Sequence, residues 1–391
     1  MTTPLTSSDA SALLGVYARV GPLFVAGEGS ELIAEDGTRY LDFMAGIAVN
    51  ALGYNSPVFR DAVLRALDSG LVHVSNLYRT EPGERLAAEL TGRAFPLGGH
   101  AFFCNSGAEA NEGAFKFARK WSKKTDLVAF SGSFHGRLFA SLAATDRPDY
   151  RRPFEPLLAG VEIIPLGRTD AAERAITAER TAAVIVEPVQ GEGGVSPVPD
   201  EFLVVLRKLC TETKAALIFD EVQCGLGRTG TLFAAEHAGV VPDMYTLAKP
   251  LGGGLPMGAI LVNDQVAATL APGDHATTFG GGPFVATVAL DVVRAIAEPE
   301  FLAEVVAKGK WLGKRLGALA GRCARVRETR GRGLMWGIEL NEVAAPIVAA
   351  ARERHLLVLT AGPNVIRIVP PLTISRDDLE RGITILEEVL A

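Results

Sequence analysis

An α/β fold, with a large mostly parallel sheet and a smaller α/β unit, is predicted by three observations on this chain of 391 residues. Short strand-like runs alternate with helical ones from residue 100 onward. The strand-like runs are continuously apolar, the pattern of strands covered by helices on both faces. The 42 glycines gather in short clusters between those runs instead of repeating, which suits backbone-lined loops.

Taken in order, residues 31–43 carry acids, a turn at Asp36-Gly37 and a short strand, and are expected to pack away from the central sheet. Residues 101–104 are strand-like, and 108–123 then place Ala110, Ala114, Phe117 and Ala118 near one helical face. Further strands are read at 127–130, 161–165, 182–187, 216–220, 244–248 and 258–262, with covering helices at 170–176, 201–213 and 283–296. A helix at 301–316, strands at 334–340 and 366–369, and a closing helix at 377–390 make the smaller unit. The expected division is an N-terminal segment, 1–45, contributing to the small domain, a large domain, 46–285, and a C-terminal small domain, 286–391.

Composition excludes several function classes. The 45 acids against 39 Lys and Arg give a net charge of -6, with no lysine run to track a phosphate backbone, so nucleic acid is not an expected partner. No apolar stretch approaches the roughly 20 residues that cross a bilayer, so no membrane partner is expected. Residues 1–14 lack a basic segment followed by an apolar one, and a cytoplasmic location is expected. Cys104, Cys210, Cys224 and Cys323 form no CxxC, and neither His135 nor His275 has a ligand at motif spacing, so no metal is expected.

Ligands of open parallel sheets collect beyond the carboxyl ends of the strands, which gives residues following strand-like runs priority. Ser106-Gly107-Ala108 follows one strand and opens a helix; its free N–H groups suit a phosphate, although Ser106 would also serve as an ordinary N-cap. Asp220 ends an apolar strand, where it suits a protonated heterocyclic nitrogen, a metal or a loop cap. Lys249 follows another apolar strand and precedes Gly252, Gly253 and Gly254; such an amine forms a Schiff base when part of it is deprotonated. Phosphate seat, strand-end aspartate and strand-end lysine together make a set for pyridoxal phosphate. Phe134 could stack on a pyridine ring or fill the core. Arg137 and Arg367 suit carboxylates, Arg367 within an otherwise apolar strand that demands a partner, and Glu192 could pair with either.

The ordered series Asn105-Ser106-Gly107-Ala108-Glu109, Phe134-His135-Gly136-Arg137, Asp220-Glu221-Val222-Gln223, Ala248-Lys249 and Thr277-Thr278-Phe279-Gly280-Gly281 resembles the class III, ornithine-type aminotransferases of pyridoxal phosphate fold type I. Acetylornithine aminotransferases are the nearest group, and the resemblance runs from Tyr17 to Arg367. It implies that Lys249 carries pyridoxal 5'-phosphate, Asp220 pairs with its ring nitrogen, and Ser106, Gly107 and Ala108 hold its phosphate. It further implies Phe134 and Val222 on opposite ring faces, Gln223 on the ring hydroxyl side, and Thr278 reaching the phosphate from the neighbouring subunit of a homodimer. An acylornithine donor would place its carboxylate near Arg137 and Tyr17. Glutamate would meet Arg367 and Arg137, with Glu192 closing on Arg367 when no substrate carboxylate is there. The implied activity moves the terminal amine of N2-acetyl-L-ornithine to 2-oxoglutarate; succinylornithine, ornithine, acylated diaminopimelate and 4-aminobutyrate are alternative donors, and a non-catalytic regulatory protein is the different-class alternative. Gly282 stands where many relatives place asparagine, Leu138 where threonine is frequent, and Thr277 replaces a common serine.

Overall fold

A computed structural model describes residues 12–391, so most of the expectation for 1–14 lies outside the described residues. Seven strands make the main sheet: β1 (Gly99–Cys104), β2 (Asp126–Phe130), β3 (Val161–Ile164), β4 (Thr181–Val186), β5 (Ala216–Asp220), β6 (Met244–Leu247) and β7 (Gly258–Asn263). Their spatial order is β1-β7-β6-β5-β4-β2-β3. The pairs from β6 through β5, β4 and β2 to β3 are parallel. All residues of β4, β5 and β6 are buried, as continuously apolar strands require.

Only β7 runs antiparallel to its neighbours, β6 and β1. The reason is the linker. A parallel return takes a crossover of a dozen or more residues, and residues 248–257 hold only a tight turn at Lys249–Gly252. That turn therefore stays at the carboxyl end of β6, beside the end of β5.

Helix α1 (Gly107–Ser122) starts because the Ser106 hydroxyl accepts the Glu109 N–H at 3.2 Å, and it stops at Lys123 in the left-handed region. Ala110, Ala114, Phe117 and Ala118 are buried on the face the sequence predicts, and Asn111 is buried among them. Helices Thr169–Ala175, Asp200–Thr213 and Pro283–Ala297 form within a residue or two of expectation.

Beyond the main sheet, Val326–Arg332, Met335–Leu340, Val365–Ile368 and Leu359–Thr360 form an antiparallel sheet. Near the N-terminus, Phe24–Glu28, Glu31–Ala34 and Arg39–Asp42 pair antiparallel, and Leu356–Leu357 adds to Arg39–Asp42 in parallel. The boundary expected at 285/286 falls inside helix Pro283–Ala297, which packs against helices Pro57–Asp68 and Glu81–Ala94. Among the described residues, no helix is long and apolar enough to cross a membrane.

Candidate active site

A cavity of about 450 Å³ opens at the carboxyl ends of β5 and β6, lined by the start of α1, the 134–137 loop and the 248–257 turn. It brings together Ser106, Gly107, Ala108, Phe134, Arg137, Asp220, Val222, Gln223 and Lys249. The strand-end rule explains this meeting: parallel strands deliver Asp220 and Lys249 side by side, while α1 brings its amino end to the same cavity.

Asp220 is 3% exposed and is held by three donors. Its Oδ2 faces His135 Nδ1 at 2.7 Å and accepts from Asn111 Nδ2 at 2.8 Å, while Oδ1 accepts the Val222 N–H at 3.1 Å. A proton on His135 Nδ1 satisfies the carboxylate without consuming Oδ1, which keeps acceptor capacity for a group in the cavity. Asn111 also donates to the His135 carbonyl at 2.7 Å, tying β5, α1 and the 134–137 loop together.

Lys249 lies at the tight end of the turn with φ of +36°, an uncommon region for a residue with a Cβ. The residue is partly buried and lines the cavity. Burial, reinforced by the Arg367 guanidinium, lowers its pKa to about 8, against the opposing pull of Glu192, Glu187 and Asp220. A useful fraction of Nζ is therefore neutral near pH 7.5, the state a carbonyl-attacking amine requires.

At the start of α1 the N–H groups of Gly107 and Ala108 have no protein acceptor among the described residues. The orphan donors of a 16-residue helix, together with its dipole, suit a phosphate dianion. Gly107 is required by a close approach, since a Cβ there would sit 2.8 Å from Val222 Cγ1. Buried amine, ring-side carboxylate and anion seat thus fit pyridoxal 5'-phosphate. Three or more His, Cys, Asp or Glu side chains placed to hold a metal ion do not occur together among the described residues.

The two arginines differ. Arg367, 1% exposed, donates from Nη1 to Glu192 Oε1 at 2.5 Å and to Gln223 Oε1 at 3.1 Å. Arg137 is exposed and meets no carboxylate among the described residues; its guanidinium carbon lies 3.5 Å from the Tyr150 ring centre and 5.7 Å from that of Phe134. Arg367 and Glu192 do not line the cavity themselves and meet its wall through Gln223, and two further expected contributors lie elsewhere. Tyr17, 73% exposed, stacks with Arg19, and Thr278 is exposed on the 272–282 loop. Neither lines this chain's cavity.

Sequence reading passed over His135 and Asn111 as partners of Asp220, and left Glu187 without a part of its own. Glu187, at the end of β4, accepts from the Phe134 N–H at 2.9 Å and the Gly191 N–H at 3.0 Å. Burial, with Asp220 adding to it and His135 opposing, raises its pKa to about 7. The strand-end rule would have singled it out. Asn111 also left a signal, as an amide on the apolar face of α1.

The profile of the family described as Aminotransferase class-III matches residues 18–390. The chain belongs to the class-III aminotransferases. As a member of that family it is similar to the mitochondrial acetylornithine aminotransferase of Alnus glutinosa, 48% identical over 97% of this chain and 85% of the relative. The crystal structure of N-acetylornithine aminotransferase from Stenotrophomonas maltophilia K279a is 37% identical, with a TM-score of 0.82 over 94% of each chain. Ornithine aminotransferase from Toxoplasma gondii, solved with partial occupancy of PLP at its active site, is 28% identical with a TM-score of 0.92 over 97% of this chain and 91% of its own. The α/β architecture of this class-III aminotransferase is therefore that of fold type I, and it is an enzyme dependent on pyridoxal phosphate.

Proposed function

We propose that the protein is an N2-acetyl-L-ornithine:2-oxoglutarate 5-aminotransferase, giving N-acetylglutamate 5-semialdehyde and L-glutamate in a ping-pong cycle. The observation that carries this reading is Arg137, without an acid among the described residues, lining the lysine-bearing cavity, while Arg367, paired with Glu192, bonds to Gln223 of its wall. The acetylornithine aminotransferases among its relatives support it.

Pyridoxal phosphate supplies an electron sink for the carbon that exchanges its amino group. The chain's residues supply the rest. Ser106, Gly107 and Ala108 would hold the phosphate, Asp220 the ring nitrogen, Phe134 and Val222 the two ring faces, and Gln223 the hydroxyl side. Lys249 would carry the cofactor, and its Nζ would be the base that takes the proton from the carbon bearing the donor nitrogen. Asn111 and His135 orient the Asp220 carboxyl group by hydrogen bonds to its Oδ2.

Acetylornithine presents a terminal amine, so its carboxylate lies away from the reacting carbon and is gripped by Arg137, with Tyr17 as a second contact. Glutamate reacts through its α-amine, so its α-carboxylate takes Arg367 from Glu192 while Arg137 holds the side-chain carboxylate. A homodimer is part of this reading: Leu77, Tyr78 and Phe279 are 89%, 72% and 70% exposed, and Thr278 beside Phe279 would reach the partner's phosphate. Four free cysteines support a reducing compartment, the cytoplasm. The division into segment 1–45, large and small domains is retained, with the last boundary moved past Ala297, because helix Pro283–Ala297 is one continuous element.

Glutamate formation from 2-oxoglutarate, measured separately with N-acetylornithine, N-succinylornithine, ornithine and 4-aminobutyrate, tests the reading. The highest kcat/KM is expected with N-acetylornithine; a higher value with another amine replaces the named donor, and no glutamate with any of them overturns the transaminase.

A further inference from the structure

Arg137 has neither an acid nor a carbonyl partner among the described residues, yet its guanidinium is not loose. Its carbon sits 3.5 Å from the centre of the Tyr150 ring. At that separation the planar group lies against the ring and is attracted by the ring's negative face. Flat stacking occupies the face of the guanidinium and leaves its in-plane N–H fork free, the geometry that a carboxylate grips with two parallel bonds.

Tyr150 is itself fixed relative to Arg137 by a set of ties between the segment 145–151 and the loop 132–137. Thr145 Oγ1 accepts the His135 N–H at 2.9 Å, and its own proton has the Ser141 carbonyl at 2.9 Å and the Gly136 carbonyl at 3.2 Å as alternative acceptors. The Asp146 N–H donates to the Ser133 carbonyl at 2.9 Å, and Asp146 Oδ2 accepts the Gly132 N–H at 2.8 Å. Pro148 then starts the short helix Pro148–Arg151 that presents the ring. The same segment reaches the second arginine's partner: Arg147 Nη2 donates to the Glu192 carbonyl at 2.5 Å.

We propose that Tyr150 is a specificity-determining positioning residue, holding the Arg137 guanidinium flat so that its N–H fork faces the substrate carboxylate remote from the reacting amine, on a segment whose Arg147 anchors the Glu192 loop. This rests on the proposed assignment of Arg137 to substrate carboxylates. Tyr150 touches neither reacting atom. Its loss acts on binding of a carboxylate and leaves proton transfer at Lys249 alone. The segment 145–151 thereby fixes the spacing between the two carboxylate sites, and so the length of diacid and the place of the carboxylate that the pocket accepts.

The test compares two amines that differ by one group, N-acetylornithine and N-acetylputrescine, the same amine without its carboxylate. Their half-reactions are followed by the absorbance of the cofactor-loaded enzyme in the wild type, Tyr150→Leu and Tyr150→Phe. In Tyr150→Leu, KM for N-acetylornithine is expected to rise about fivefold, the worth of one cation–π contact, with the limiting rate unchanged. KM for N-acetylputrescine stays put, and Tyr150→Phe, which keeps the ring, restores N-acetylornithine binding. Equal losses on both amines, or no loss on either, overturn the proposal. Should Tyr150→Leu fail to retain cofactor, Tyr150→Phe and Tyr150→Trp carry the test, since any ring must preserve the carboxylate preference; a ring variant that loses it also overturns the proposal. Failure of the functional reading looks different: the wild type itself would not favour N-acetylornithine over N-acetylputrescine.

Discussion

Arg137 lines the cavity and Arg367 bonds to Gln223 of its wall, and the two guanidinium groups stand in opposite states. Arg367 is buried, and its charge is matched by Glu192 and shared with Gln223. Arg137 is exposed, stacked on an aromatic ring and free of acids among the described residues. The difference is one of desolvation. A buried guanidinium without a counter-charge costs several kcal/mol, so Arg367 keeps Glu192 as its partner, and the proposed substrate carboxylate would have to replace it. An exposed one stays hydrated and needs no partner, which suits Arg137 to the constant contact proposed for it. The pairing gives one pocket a constant contact and a conditional one.

The comparison assumes that both arginines serve one amine. Lys249→Ala is therefore expected to silence the amine-donor and 2-oxoglutarate half-reactions alike, by at least about a thousandfold, in single-turnover absorbance measurements. A variant that kept one half would separate the two sites. Arg367→Ala removes the conditional contact and leaves Glu192 unpaired. Its kcat/KM in the glutamate half-reaction should fall by about a hundredfold or more, while the N-acetylornithine half changes little. Arg137→Ala removes the constant contact, and KM should rise roughly tenfold or more for both partners, as expected for a lost charge-assisted bond. If only one substrate weakens, Arg137 is not shared.

The smallest effect lies behind the loops that carry Phe134 and Glu192. Glu187 bonds to both, and its folded-state pKa is raised from 4.5 to about 7. Its contribution to stability is complete below pH 4.5 and is lost as pH rises through about 7. Glu187→Gln should flatten the decline of denaturant midpoint across that window. A decline of unchanged slope assigns it to other groups.

Much of this was legible in the sequence because strand ends carry chemistry. Asp220, Lys249 and Ser106 stand at or just past an apolar run, and the strands of the main sheet and α1 lie within a few residues of those read from the sequence, whereas helices Pro57–Asp68 and Glu81–Ala94 and strand Val326–Arg332 were not read. What escaped depends on contacts between distant segments. His135 meets Asp220 across 85 positions, and a lone histidine gives no local sign of its partner. Leu356–Leu357 joins Arg39–Asp42 through a register that no composition encodes. The antiparallel turn of β7 was readable in hindsight from the short 248–257 linker. Helix Pro283–Ala297 shows the opposite failing: its extent was legible, yet the boundary at 285/286 cut through it.

The exchange of partners at Arg367 is tested most directly by one ratio. Both half-reactions are followed by stopped-flow absorbance in the wild type and in Glu192→Gln, with N-acetylornithine and glutamate as amino donors. Loss of the masking charge is predicted to slow the N-acetylornithine half by roughly tenfold, from the unpaired buried cation left beside its reacting end, and to leave the glutamate half near its wild-type rate. Similar losses in both halves would contradict the exchange and make Glu192 a structural partner of Arg367.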